Sequence, residues 1–530
     1  MTKQNKIKVR FDDVDGEGFL AAASQEADGV VLDYMQQLGL QKSVNRRAIT
    51  AATRRQIIEA GSLPFHFGTF VDWRGRLYFH GAGLAPQGKD AGRGVLAAAK
   101  GVRLGVQGLR HLMCGVATTW GQDGIDKASM RERVAYVRRM YRDGSLARIV
   151  AGAESGEDYT WRLAEEPVQF LALAADLLTA LALPRPTDHV SSVFVGYDAT
   201  CSGLQILAAV TGCEATARMV NVVPRADGKR ADIYMSVADA LVARCAAMAA
   251  GLDEAEAEAE MAANKSGDCW ALYWSRAGIT RNITKRPVMV YCYGGTKRTF
   301  AGSIREDSKA PWKAAMWLAA QMYDNVLADL LPRAHAFMLA LQGLARAAAK
   351  LGKAVEFTAA DGLPFRQAVT EVEKDRVKCP LADGRLIQAV IQRRTKKLSS
   401  GKQVSGIAPN IVHHWDALFL RNVVRALAAA GIESFYTVHD CFYLLPGDWA
   451  KGWKIIRAVF VQTFSGDVAA DVWSQIVDNA RAVRRQPQVE AWENEGGLVL
   501  PEIDPPTLPT CPAKGSLDLT QAMRSEFLFS

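Results

Sequence analysis

Apolar residues follow two periodicities along this chain. The run Val193-Phe194-Val195-Gly196-Tyr197 is β-rich, and after Asp198 the spacing changes, with Leu204, Leu207, Ala208 and Val210 recurring at helical intervals. This predicts a buried strand that turns into a helix at Asp198. Two further β-rich runs, Phe435 to Val438 and Cys441 to Leu445, flank His439-Asp440, which predicts a hairpin with its polar pair at the turn. Alanine-rich stretches from Ala238 to Ala263 and from Trp312 to Leu351 read as long helices. Pro364 to Val404 leans to β-structure on both sides of the turn signal Asp383-Gly384 and carries the basic run Arg393-Arg394-Thr395-Lys396-Lys397. Near the start, Val30, Val31, Met35 and Leu38, with Arg46, Arg47, Arg54 and Arg55, predict short helices, while Pro501 to Pro512 reads as a loop.

The pattern places two carboxylates, Asp198 and Asp440, at strand ends. Singly, each reads as a turn-capping aspartate. Together they suit magnesium, which takes one or two carboxylates along with waters and substrate phosphates, so a pair of such residues could clamp two metal ions. A third segment, Thr280 to Gly295, spaces Arg281, Lys285 and Tyr293 at multiples of four, predicting one broad helical stripe able to grip a nucleoside triphosphate. Pro287, inside that stripe, predicts a helix that starts or kinks near Lys285. The same segment reads alternatively as a solvated basic helix.

Six motifs in order resemble those of the single-subunit RNA polymerases of the bacteriophage and mitochondrial type. They are Asp72-Trp73-Arg74-Gly75-Arg76, Asp198 to Gln205, Lys285 to Gly294, Ser405 to His413, His439-Asp440, and the tail from Pro512 through Phe527-Leu528-Phe529-Ser530. The resemblance covers about residues 61–530. It implies an α+β right-hand polymerase fold with a small mixed palm sheet and helical fingers. By position it implies that Asp198 and Asp440 hold two Mg2+ ions with help from the Ala199 carbonyl, and that Lys285 acts on the triphosphate. Arg281 would hold phosphates, with Lys127 a further contact. Tyr293, next to Gly294, would close over the nucleotide with Tyr234 packed beside it, and His413 would bond the ribose 2′-hydroxyl that separates RNA from DNA precursors. Arg76, with Asp72, Gly203 and His439, would face the template or hybrid. The related DNA polymerases carry glutamates where this chain has Cys201-Ser202-Gly203 and Cys441, which favours RNA synthesis.

The implied organisation is a short N-terminal helical segment (1–60), a first palm part (61–235), fingers (236–410) with a specificity hairpin near 364–404, and a second palm part with the C-terminal tail (411–530). Family members carry a long promoter-binding region ahead of the Asp72 motif. Its brevity here implies a catalytic core that uses a DNA template and ribonucleoside triphosphates to make RNA, with a second polymerase subunit, a single-stranded-DNA-binding protein or an already single-stranded template. An RNA primase and an inactive nucleic-acid-binding assembly subunit are the alternatives.

Composition changes this picture little. A formal charge of +8 over 530 residues is compatible with gripping phosphates and too small to demand it. The arginines of 131–142, interleaved with Tyr136 and Tyr141, read equally as a nucleic-acid channel or a solvated helix face. The nine cysteines lack zinc-like spacing and read as reduced thiols. Neither a signal peptide nor an apolar run of about 18 residues is found, so no membrane association and a cytoplasmic setting, in a phage-infected bacterium, are expected.

Overall fold

A computed structural model describes residues 65–80, 84–380, 386–481 and 508–529. The N-terminal helices, the Asp383-Gly384 turn and Pro501 to Pro506 of the proline-rich loop fall outside the described residues. In chain order, the elements that position the cleft begin with strands β1 (Thr69–Val71) and β2 (Leu77–Phe79), which pair around the Asp72–Arg76 loop. Strand β3 (Ala97–Arg103) follows, then helices α1 (Gly105–Trp120), α2 (Met130–Arg142) and α3 (Pro167–Leu181). Strands β4 (Val190–Val193) and β5 (Val195–Tyr197) lead into α4 (Ser202–Thr211), followed by α5 (Ile233–Ala249) and α6 (Arg281–Tyr291). Helix α7 (Pro332–Lys350) precedes β6 (Val355–Thr358), β7 (Pro364–Gln367), β8 (Thr370–Pro380) and β9 (Leu386–Leu398). The remainder is α8 (Ser400–Ala429), the hairpin β10 (Phe435–Val438) and β11 (Cys441–Leu444), α9 (Trp449–Phe464) and α10 (Val468–Arg481).

The α+β class is as expected, but the sheet is not mixed. Every strand pairing among the described residues is antiparallel, and the central sheet has the order β10-β11-β5. The apolar run from Val193 to Tyr197 is also not one strand. It breaks at Phe194, so that β4 pairs with β3 while β5 pairs with β11.

Helix α4 is buried along almost its whole length, from Gly203 through Thr211. A helix that is apolar all round belongs inside a core, and each leucine or isoleucine so buried contributes about 1.5–3 kcal/mol. The β5 edge is pinned from behind, where Trp449 of α9 donates its Nε1–H to the Val195 carbonyl at 2.9 Å and packs edge-on against Tyr197. Helices α7 and α8 pack through Phe337 stacked on Trp415.

Both long alanine-rich stretches are interrupted. The first yields α5 and a separate helix, Glu254–Ala262, whose N-terminus Asp253 caps by accepting from the Glu256 N–H. The second breaks at a π-helical turn, Met322–Val326, and again before Pro332. The β-leaning segment near 364–404 divides. Its first strand, β7, pairs with β6, and only β8 and β9 form the long hairpin, from Thr370↔Leu398 to Pro380↔Leu386. No single described helix is long and apolar enough to cross a membrane.

Candidate active site

The register of β11 against β5 sets Phe442 opposite Tyr197 and Tyr443 opposite Gly196. Asp198, just beyond β5, and Asp440, just before β11, are thereby brought to the same end of the sheet. His439 makes the β10–β11 turn possible with φ of 57°, a left-handed conformation that histidine tolerates better than most non-glycine residues. On the other side, Ala199 bridges to Phe529, the Thr200 hydroxyl donates to the Phe527 carbonyl at 2.5 Å, and Gln205 Nε2 donates to the Leu528 carbonyl at 3.0 Å. The C-terminal tail thus clamps the turn that carries Asp198.

Both aspartates line a cleft of about 820 Å³, as do Lys127, Ala199, Gly203, Tyr234, Arg281, Lys285, Tyr293, His413, Arg76 and His439. The tip of Asp198 reaches the cleft while protein crowds its other sides. That burial, then the facing charge of Asp440, pushes the Asp198 carboxyl well above the usual carboxylate range. A cation between the two would relieve that repulsion. Among the described residues no three His, Cys, Asp or Glu side chains converge as a closed ion cage. Two carboxylates are hard oxygen donors of the kind magnesium takes alongside waters and substrate phosphates.

The Asp72–Arg76 loop organises the opposite wall. The Asp72 carboxylate accepts from the backbone N–H groups of Arg74 (3.0 Å) and Arg76 (2.9 Å) and from the Arg74 guanidinium (2.8 Å). Asp72 is therefore turned into its own loop and does not line the cleft. Arg76 does, held by a 2.6 Å ion pair to the buried Asp416, with its Nε sealed from solvent and without an acceptor among the described residues. Asp416 drew no attention in the sequence, although it lies three residues after His413 on α8, where helical spacing places the two near one face.

Arg74 Nη1 lies 3.1 Å from His413 Nδ1. Arginine can only donate, so Nδ1 accepts and the ring proton sits on Nε2. Burial, then the charges of Arg76 and Arg74, brings the His413 imidazole down to about 3, so it is neutral at ordinary pH. Tyr293 stacks on His413 with ring centroids 4.6 Å apart and planes at 24°, and its hydroxyl lies 3.3 Å from Ser202 Oγ.

Helix α6 starts at Arg281 and runs to Tyr291 with Pro287 inside it, so it begins a full turn earlier than the proline predicted. Thr284 tethers its first turns by donating to the Tyr234 carbonyl at 2.7 Å. Arg281 and Lys285 share the cleft face as expected, but Tyr293 lies beyond the helix end. It is placed instead by a turn in which Gly295 N donates to the Val290 carbonyl at 2.8 Å. Gly294, at φ of 76°, backs that turn against α8 and lines a neighbouring cleft, and a Cβ there would come within 2.8 Å of the Ser405 carbonyl. Gly203 leaves room for the same turn, because a Cβ there would overlap Cys292 Sγ and come within 3.0 Å of the Tyr293 hydroxyl.

Arg281 donates to Asp232 at 2.5 Å and lies 5.1 Å from the Tyr234 ring centroid. Tyr234 thus meets Arg281, and no ring contact with Tyr293 occurs among the described residues. Lys127 pairs with Asp126 at 3.2 Å. His439 packs edge-on against Tyr78, and its Nδ1 has no hydrogen-bond partner among the described residues.

The profile of the DNA-dependent RNA polymerase family matches residues 102–530, and the chain belongs to that family. It is 29% identical over 497 residues to the T7 RNA polymerase of Escherichia phage T7, covering 87% of this chain and 52% of that protein. It is 28% identical over 453 residues to the DNA-directed RNA polymerase of Pseudomonas phage phiKMV, covering 82% of this chain and 52% of that protein. To the mitochondrial DNA-directed RNA polymerase 1B of Nicotiana tabacum it is 27% identical over 480 residues, covering 88% of this chain and 43% of that protein. The chain spans about half the length of the curated relatives it matches.

Proposed function

We propose that this chain carries the catalytic centre of a DNA-directed RNA polymerase, extending RNA by template-dependent ribonucleotidyl transfer. The observation that carries this reading is the meeting of Asp198 and Asp440, 242 positions apart in the chain, in one cleft with Lys285 and Tyr293. On this reading residues 61–235 and 411–530 form a palm and 236–410 the fingers of a right-hand fold. Two Mg2+ ions held by Asp198 and Asp440, with the Ala199 carbonyl, would activate the RNA 3′-hydroxyl and stabilise the departing pyrophosphate.

The protein groups have distinct tasks. Arg281 orients the triphosphate, Lys127 adds charge beside it, and Lys285 donates a proton to the leaving pyrophosphate as the α-phosphate is attacked. Tyr293, backed by His413, covers the nucleotide and excludes water. The Nε2–H of His413 offers the ribose 2′-hydroxyl a donor that a deoxyribose cannot use. Arg76, fixed by Asp416, faces the template or hybrid. The relatives include phage and organellar enzymes, and a phage-infected bacterial cell is the setting proposed here.

The test is incorporation of the four ribonucleotides by the purified chain with magnesium, on single-stranded DNA and on promoter-bearing duplex. RNA on the single strand supports the catalytic reading without asking the chain to open a duplex. RNA on the duplex as well would remove any need for a partner subunit or single-stranded-DNA-binding protein. No RNA on either template would sink the reading.

A further inference from the structure

The cations lining the cleft fall into two groups. Arg76, Arg93, Lys127 and Arg281 each pair with a carboxylate, respectively Asp416, Glu166, Asp126 and Asp232. Lys285 and Arg230 line the same cleft and have no carboxylate partner among the described residues. Lys285 is in the state expected of a group that meets phosphate. Arg230 belongs to none of the motifs and has no role so far.

Arg230 precedes α5 by three residues. Its Nε is sealed from solvent without an acceptor, and no described residue hydrogen-bonds to its guanidinium. Burial, then the like charge of Arg133, lowers its affinity for a proton; the Asp232 and Asp126 carboxylates, which pair with Arg281 and Lys127, offset this in part, and Arg281 adds to the repulsion. The backbone allows little retreat, because buried Asn221 accepts from Ala231 N at 2.7 Å and donates to the Ala231 carbonyl at 3.0 Å. A half-buried guanidinium with one donor sealed away from water, beside two like charges and ion-paired to neither nearby carboxylate, is better satisfied when an anion enters the cleft it lines.

We propose that Arg230 binds the triphosphate tail of the incoming nucleotide and the pyrophosphate that leaves, beside Arg281 and Lys285. The identity of the anion rests on the polymerase reading, while the existence of the anion site rests on the geometry of Arg230 itself.

The experiment titrates magnesium pyrophosphate into the full chain by calorimetry, for wild type, Arg230→Gln, Arg230→Lys and Lys229→Gln. Loss of charge-assisted hydrogen bonds should weaken binding about 10- to 100-fold in Arg230→Gln. Arg230→Lys keeps the charge without the planar fork and should fall between that variant and wild type, which also carries the test if the glutamine variant does not fold. Lys229→Gln removes the same charge one residue away from an exposed side chain and should bind as wild type does. Equal affinity in wild type and Arg230→Gln, an equal loss in Lys229→Gln, or no binding by wild type would overturn the assignment. Ribonucleotide incorporation is followed in parallel. A chain that binds pyrophosphate through Arg230 yet makes no RNA would leave the anion site standing and remove the polymerase reading instead.

Discussion

Tyr197 and Phe442 face each other across the β5–β11 pairing, and this one register brings the two aspartates of the cleft together. Tyr197 precedes Asp198, and Phe442 follows Asp440 by two residues. A slip of one residue would turn the buried Phe442 outward and move Asp440 away from Asp198. The Phe529 ring, 5.7 Å from Phe442, and the Ala199↔Phe529 bridge oppose such a slip.

Asp440→Asn and Asp198→Asn each replace a carboxylate that would hold metal on the proposed reading, while keeping the side-chain shape. Each should lower ribonucleotide incorporation by about 1,000-fold or more. Template affinity, measured by fluorescence anisotropy, should hold in both variants or rise, because neither change adds negative charge to the cleft. Retained synthesis in either variant would displace these residues from the centre of the chemistry.

His413→Ala removes the Nε2–H donor. Incorporation of ribonucleotides relative to deoxyribonucleotides, compared as kcat/KM, should fall about tenfold, the worth of one good hydrogen bond. An unchanged ratio would mean that the 2′-hydroxyl is read elsewhere.

Gly203→Ala should raise the nucleotide KM. In a helix interior, alanine is favoured over glycine by about 1 kcal/mol on propensity, but here the added methyl runs into Cys292 Sγ and the Tyr293 hydroxyl, and overpacking costs about 1–3 kcal/mol. The strain falls on the turn that holds Tyr293. Adding Cys292→Ala should recover part of the loss, so a double variant no better than Gly203→Ala would contradict this account.

His111, behind strand β5, sets a pH limit on stability. Its Nδ1 lies 2.9 Å from the Tyr197 hydroxyl, and burial, then the Arg457 charge, lowers its pKa from 6.5 to about 4. The folded imidazole is therefore neutral, while the unfolded one takes up a proton below its ordinary pKa. Stability from this group is present above that value and is lost as the pH falls toward about 4. By pH 5 the loss should reach about 2 kcal/mol. Urea unfolding at pH 7 and pH 5 should show His111→Gln losing less stability than wild type on acidification; identical losses would count against the assignment.

The β8–β9 hairpin offers a test of nucleic-acid contact. Arg393 and Lys397 are occupied by Asp375 and Glu371, whereas Arg394 and Lys396 have no acidic partner among the described residues. Arg394→Ala with Lys396→Ala should weaken duplex binding and reduce the slope of log affinity against log salt by about two. Replacing Arg393 should change it little.

Local pattern was enough for the strand–turn–helix at Asp198, the His439-Asp440 hairpin and the shared face of Arg281 and Lys285, because hydrophobic spacing and turn chemistry act over a few residues. It failed where distant packing overrules local preference. Helix α6 runs through Pro287 with its first turns tethered to Tyr234 of α5 by Thr284, and the run from Val193 to Tyr197 splits because its halves pair with different partners.

The sequence by itself determined which residue types bear the chemistry and, through motif order, the family resemblance. Only the tertiary structure decided which charges are already spent and which remain available. Asp72 is consumed by its own loop and Arg76 is held by Asp416, while Lys285 and Arg230 have no carboxylate partner among the described residues. Ion pairing and burial depend on distances of a few ångströms between residues far apart in the chain, and sequence spacing carries no measure of those distances.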